Sequence, residues 1–199
     1  MKSDQNLLER LRLAAGSGEV VTEEPMSRHT TFRIGGPADY FVTPHTKEEI
    51  RQVIRLCKKE EIPFAVLGNG SNLLVGDKGF RGVIIQLFKN FSDITIEEET
   101  IYAQSGALLV RLANQAAEQG LTGLEFASGI PGTLGGAVVM NAGAYGGEMK
   151  DVILWSDVLT EDGEFLRLSG EELELGYRTS VIQKEPYFVL GDALRLKKG

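Results

Sequence analysis

The stretch SGIPGTLGGAVVMNAGAYGG, residues 128–147, constrains this chain more than any other. It is rich in glycine, carries no charged side chain and holds no evident acid or base. Glycine costs about 0.5–1 kcal/mol relative to alanine inside a helix. A folded protein that concentrates glycine in one segment therefore needs a reason. Pro131 suits a helix N-terminus, and Gly132 and Thr133 would leave backbone N–H groups exposed there. Residues 134–141 are small or apolar enough for a short buried helix. A helix start attracts phosphate through its free N–H groups and its dipole. The dipole alone contributes about 0.3–1 kcal/mol when exposed and up to ~2 when partly buried. Charge-assisted hydrogen bonds are larger, about 1.5–3 kcal/mol each. Gly135 and Gly136, poor choices inside a helix, would let a ligand reach the backbone. The alternative is close helix–sheet packing with no ligand.

A second glycine loop, LGNGSNLLV, occupies residues 67–75 and follows an expected strand. It fails both common nucleotide motifs. Gly68 and Gly70 fit G-x-G-x-x-G, but Leu73 stands at the third glycine, and no convincing acidic ribose ligand follows. There is no Walker lysine. A tight turn of Gly, Ser and Asn still offers several N–H groups to an anion. Two separate anion loops in different lobes suit a large dinucleotide, and flavin adenine dinucleotide (FAD) suits them better than a mononucleotide.

Composition narrows the rest. The chain has 199 residues, 42% hydrophobic and 25% charged, enough for one large domain or two small lobes. A formal net charge of -7 argues against nucleic-acid partners. Cys57 is the one cysteine, so no disulfide framework exists within the chain and a reducing cytoplasm is expected. The start, with charges among its leucines, reads as an amphipathic helical segment over residues 1–21 with Leu7, Leu8 and Leu11 on one face, not as a leader or membrane span. His29 and His45 lack motif partners, and no metal site or hydrolytic triad is legible.

The elements follow from periodicity. Residues 40–42 read as a strand. Thr46 with Glu49 forms a capping box ahead of a helix whose inner face is Ile50, Val53, Ile54 and Cys57. Residues 64–67 and 82–87 read as strands, and the strand–helix–strand order predicts a βαβ unit with a parallel pair. DITIEEETIYAQSG reads as two strands about an acidic turn. Residues 107–119 read as a helix with Leu108, Leu112 and Ala116 inward. Asp162-Gly163 signals a hairpin, Trp155 is expected in the core or on its rim, and YFVLGDALRLKK alternates as a strand. The expected fold class is α+β in two lobes, residues 22–88 and 89–199.

Four segments in order, TTFRIGGPADYFVTP, LGNGSNLLV, SGIPGTLGG…NAGAYGGE and GYRTS, carry a resemblance. Together they resemble the UDP-N-acetylenolpyruvoylglucosamine reductases, flavoenzymes of peptidoglycan synthesis. The resemblance implies a two-lobed FAD-binding fold of the vanillyl-alcohol-oxidase type with non-covalent FAD. It implies that Leu67, Gly68, Asn69, Gly70, Ser71, Asn72 and Leu73, with Ser128, Gly129, Ile130, Pro131, Gly132, Thr133, Gly135 and Gly136, hold the pyrophosphate and nearby groups. Asn141, Gly143, Ala144 and Tyr145 would line the flavin side, with Val189 also against the cofactor. Arg178 would be the catalytic arginine and would bind the UDP-sugar substrate with Tyr177. The implied reaction passes a hydride from NADPH to FAD and on to the enolpyruvyl double bond, and a proton completes the lactyl ether. Members of the family are longer and carry a third, substrate-binding domain with a proton-donating serine and a glutamate, for which no match is found here. The expectation is FAD binding with little or no turnover, and self-association through the face that the third domain would cover.

Two other readings stay open. One is a different FAD oxidoreductase of the same fold, many of which attach flavin through histidine; neither histidine sits in the glycine loops. The other is a non-catalytic flavin-binding module.

Overall fold

The computed structural model describes residues 5–199. Among these, two compact units form. The first runs to Phe91 and takes in Glu161–Gly163; the second comprises Ser92–Thr160 and Glu164–Gly199.

The first unit opens with α1 (Gln5–Ala15), which buries Leu7, Leu8, Leu11 and Ala15. Strand β1 (Glu19–Pro25) pairs antiparallel with β2 (Pro37–Thr43). Helix α2 (Lys47–Lys59) begins at the Thr46–Glu49 capping box and buries Ile50, Val53, Ile54 and Cys57. Strands β3 (Phe64–Leu67) and β4 (Phe80–Gln86) complete a sheet of order β1-β2-β4-β3. The parallel βαβ unit is present in altered form. β2 and β3 do not pair with each other, because β4 lies between them and runs parallel to both. That placement leaves the loop after β3 next to the end of the central strand β4. β1 is an edge strand in which only Val20 is buried, so the sequence carries no continuous apolar signal for it.

In the second unit β5 (Ile94–Glu97) and β6 (Thr100–Gln104) form a hairpin about Glu98, whose φ is +54°. Helix α3 (Leu109–Glu118) and β7 (Leu121–Thr122) follow. Leu108 is the N-cap of α3 and half-buried; Leu109, Leu112, Ala113 and Ala116 form the inner face instead. Then come α4 (Leu134–Val139), the short β8 (Gly143–Ala144) and β9 (Gly147–Glu148), and β10 (Ile153–Thr160), β11 (Phe165–Ser169), β12 (Tyr187–Arg195) and β13 (Lys197–Lys198). The main sheet has order β11-β10-β12-β6-β5, antiparallel throughout. Gly163, at φ +83°, lies in the turn between β10 and β11, where the Asp-Gly signal placed a hairpin.

One core runs through this unit, with Ile101, Leu109, Leu112, Leu134, Val158 and Leu194 among its members. Trp155 lies outside it, half-buried, with the Arg167 guanidinium 3.5 Å from its ring centre.

Candidate functional site

In the loop after β3 two carbonyls are engaged within the chain while a run of N–H groups is not. The Gln86 side-chain amide donates to the Gly68 carbonyl at 3.0 Å, and the Thr31 N–H donates to the Gly70 carbonyl at 3.1 Å. Gly70 has φ +69°, and a Cβ there would stand 1.9 Å from the His29 carbonyl oxygen, so glycine is required twice over. The TTF segment thus backs the loop. Meanwhile the backbone N–H groups of Asn69, Gly70, Ser71 and Asn72 have no acceptor among the described residues. The side chains of Asn69, Ser71 and Asn72 likewise make no hydrogen bond. Consecutive unsatisfied N–H groups on a turn are an anion-binding concavity. A cleft of about 380 Å³ adjoins it, with Asn69, Arg28, His29 and Gln86 in its wall.

The glycine-rich segment of the second unit is organised differently from expectation. Pro131 lies ahead of α4, which starts at Leu134 with Thr133 as N-cap and ends at Val139. The first helical N–H groups are occupied: Leu134 donates to the Ala107 carbonyl at 2.8 Å and Gly135 to the Ser105 carbonyl at 2.9 Å. The Gly132 N–H donates to Ile130 at 2.9 Å, so it too is unavailable. The N–H groups without an acceptor among the described residues are those of Gly129, Thr133 and Gly136. The helix start is thus tied to the loop ahead of α3, and the remaining donors are fewer than the sequence suggested.

The glycines divide by role. A Cβ on Gly135 would stand 2.7 Å from the Ser105 Cβ, so this glycine serves close packing. A Cβ on Gly136 would meet only the Thr133 hydroxyl, at 3.7 Å, and one on Gly129 nothing within 4 Å. Neither Gly129 nor Gly136 has a positive φ. Neither backbone conformation nor internal packing requires glycine at these two positions, which leaves open space over backbone donors.

A second cleft, about 300 Å³, brings together six of the expected residues: Asn141, Gly143, Ala144, Tyr145, Tyr177 and Arg178. The two tyrosines are almost fully exposed, Tyr145 at 97% and Tyr177 at 91%. The Arg178 guanidinium has no ion pair or hydrogen bond among the described residues. Three residues lining the cleft hold left-handed backbone without being glycine: Asn141 at φ +42°, Tyr145 at +53° and Arg178 at +55°. Such conformations cost on the order of 1–3 kcal/mol each and cluster at functional sites.

Asn141 does not face a ligand with its side chain. It is 3% exposed; its amide donates to Glu148 at 2.7 Å and to the Gly176 carbonyl at 3.0 Å, and its oxygen accepts from the Lys150 N–H at 3.0 Å. It builds the cleft wall. Glu148 also pairs with Lys150, and this partner, with Asn141, holds its carboxyl below the ordinary range. Val189 is 6% exposed within the core of the second unit. Sequence reasoning missed Gln183, whose side chain reaches back to this region. No local pattern in SVIQKEP marks it.

The remaining reactive groups are placed structurally. The His29 ring bonds Glu24 at 2.9 Å and lies 4.0 Å from the Phe41 ring. Burial pushes the Cys57 thiol up to about 12, so it is not a nucleophile at neutral pH. Among the described residues no three His, Cys, Asp or Glu side chains cluster as a metal site.

Residues 38–169 match the family described as FAD binding domain. The chain belongs to that family. This FAD binding domain is 53% identical to a UDP-N-acetylenolpyruvoylglucosamine reductase of Alkaliphilus metalliredigens over 98% of its own length and 64% of the relative's. It is 49% identical to the reductase of that name from Clostridioides difficile, over 91% of its length and 60% of the relative's. The chain therefore spans about three-fifths of the curated relatives it matches. A crystal structure of UDP-N-acetylenolpyruvylglucosamine reductase from Thermus caldophilus superposes with a TM-score of 0.75 at 39% identity, covering 91% of this chain and 62% of that one. p-Cresol methylhydroxylase superposes with a TM-score of 0.68 at 16% identity, over 97% of this chain and 43% of that one, a likeness of fold alone. The fold is the α+β FAD-binding fold of the vanillyl-alcohol-oxidase type.

Among the described residues no helix is long and apolar enough to cross a membrane.

Proposed function

We propose that this chain binds FAD non-covalently and forms the flavin-binding part of an NADPH-dependent UDP-N-acetylenolpyruvoylglucosamine reductase. The observation that carries the cofactor reading is the pairing of unoccupied N–H groups with open space. Asn69–Asn72 offer four consecutive donors, and Gly129 and Gly136 leave backbone donors uncovered where a side chain would fit. Residues that decline both internal hydrogen bonds and internal packing suit a large anionic ligand. The reductase reading rests on relatives near 50% identity that carry that name.

When bound, FAD supplies the hydride relay from NADPH to the enolpyruvyl double bond. The chain's own residues position and polarise. Ser71 and the N–H groups about it would offer donors to phosphate oxygens, and the Thr133 and Gly136 N–H groups would offer donors of the same kind. Arg178 is permanently charged and offers a planar fork, and its guanidinium has no hydrogen-bond or ion-pair partner among the described residues, so it suits a substrate carboxylate or the enolate that develops beside it. Tyr177 and Tyr145 wall the same cleft. His29 is engaged by Glu24, which favours non-covalent flavin over attachment through that ring.

The test is denaturation of the FAD-loaded chain followed by filtration. Flavin in the filtrate supports the reading. Flavin retained on the polypeptide overturns it in favour of a covalent flavoprotein of the same fold. With the substrate supplied, Arg178→Lys keeps charge but loses the fork, and the account expects FAD retained and substrate response lost; an unchanged response returns Arg178 to the surface.

A further inference from the structure

The turn that carries Arg178 is held from three sides. Gly176 and Thr179 exchange N–H···O bonds of 3.1 and 3.3 Å, closing a two-residue turn over Tyr177 and Arg178. The Gly176 carbonyl accepts from the buried Asn141 amide at 3.0 Å. The Arg178 carbonyl accepts from the Gln183 amide at 3.1 Å. The Ser180 hydroxyl, fully buried, and the same Gln183 amide both donate to the Val139 carbonyl, at 2.8 and 2.7 Å. Val139 is the last residue of α4, so its carbonyl has no partner within the helix. Two side-chain amides from different segments therefore grip the carbonyls on either side of the Tyr177–Arg178 pair, and a third contact docks the segment on the end of α4.

The guanidinium makes no ion pair or hydrogen bond among the described residues, so no such contact decides where it stands. Its backbone sits at φ +55°, a conformation that an unrestrained arginine leaves readily. We infer that Gln183 and Asn141 are positioning residues for Arg178, locking the left-handed turn so that the guanidinium is presented to the cleft in one place. This rests on the reading of Arg178 as the substrate-polarising group. The clamp also joins the glycine-rich segment to the arginine turn, since Asn141 and Val139 belong to the former.

Gln183 is exposed and gives the cleaner test; Asn141 is buried and its loss strains the whole segment. Gln183→Met keeps length and removes the donors. Two readouts separate the parts of the claim. The first is amide exchange of the ligand-free chain: Gly176 and Thr179 N–H groups should exchange about ten-fold faster or more in Gln183→Met, with α3 amides unmoved. Unchanged exchange at both positions overturns the clamp. The second is the perturbation of flavin absorbance on adding UDP-N-acetylmuramate to the FAD-loaded chain. The response should fall in Gln183→Met and in Arg178→Lys, and the double variant should be no weaker than Arg178→Lys alone, because the two act as one unit. Independent, multiplying losses overturn the positioning role. A wild-type chain with no response, or an Arg178→Lys chain with a normal one, overturns the reading of Arg178 itself, and exchange then reports on the clamp separately.

Discussion

Gly135 and Gly136 stand next to each other in sequence and do opposite things. Gly135 is buried with no room for a Cβ beside Ser105; Gly136 is exposed with room to spare. Gly135→Ala should therefore destabilise the chain by about 1–3 kcal/mol through overpacking, read as a lower denaturant midpoint. Gly136→Leu should melt like the wild type yet lose FAD. If Gly136→Leu binds FAD normally, the open space there is not a cofactor clearance. No sequence pattern separates these two glycines, because a tertiary neighbour, Ser105, makes the difference. Arg178 was legible only through its motif, and Gln183 not at all.

Asp192 adds a pH dependence. It lies on β12 and is 2% exposed. Burial pushes its pKa from 3.8 up to about 7; the neighbouring Asp157 charge adds to this, and the Ser156 hydroxyl offsets only part. Between those values the folded chain holds a proton that the unfolded chain releases. Its contribution to stability is therefore full in acid and falls as pH rises, by up to ~1.4 kcal/mol per pH unit, levelling above about pH 7. Asp192→Asn removes this slope. The melting-temperature advantage of the variant should grow between roughly pH 4 and 7 and level above that; an advantage constant across that range would mean that Asp192 is not the group titrating.

At the scale of elements, the legible parts were those set by local chemistry. The capping box placed α2, and four apolar residues on one face fixed its buried side. Glu49 also accepts from the Ser17 N–H and hydroxyl, at 2.8 and 2.7 Å, so the cap fastens the chain after α1. Thr46→Ala should cost about 1 kcal/mol in thermal or denaturant unfolding; no measurable change would show that Glu49 alone holds the helix start. The Asp-Gly hairpin before β11 was equally readable. What failed did so where partners are distant. β4 inserts between β2 and β3, a long-range choice invisible to periodicity. α4 begins at Leu134, as expected, but the antiparallel bridge between Leu108 and Thr133 ties its start to the loop ahead of α3. That bridge occupies the Leu134 N–H, and the Gly135 N–H is taken by the Ser105 carbonyl, so two donors that a free helix start would have offered are engaged.

For the whole molecule, each unit supplies its own set of unoccupied backbone donors, Asn69–Asn72 in the first and Gly129, Thr133 and Gly136 in the second. A ligand that binds only the folded chain stabilises it by mass action, by about 2.7 kcal/mol at a hundred times its dissociation constant. FAD should therefore raise the melting temperature in a concentration-dependent way. The cofactor claim is tested most directly by one absorbance spectrum, taken after flavin-free chain is mixed with FAD and passed through gel filtration. The account predicts a yellow protein with flavin bands close to one FAD per chain. A folded but colourless chain, with all the flavin in the small-molecule fractions, would contradict it.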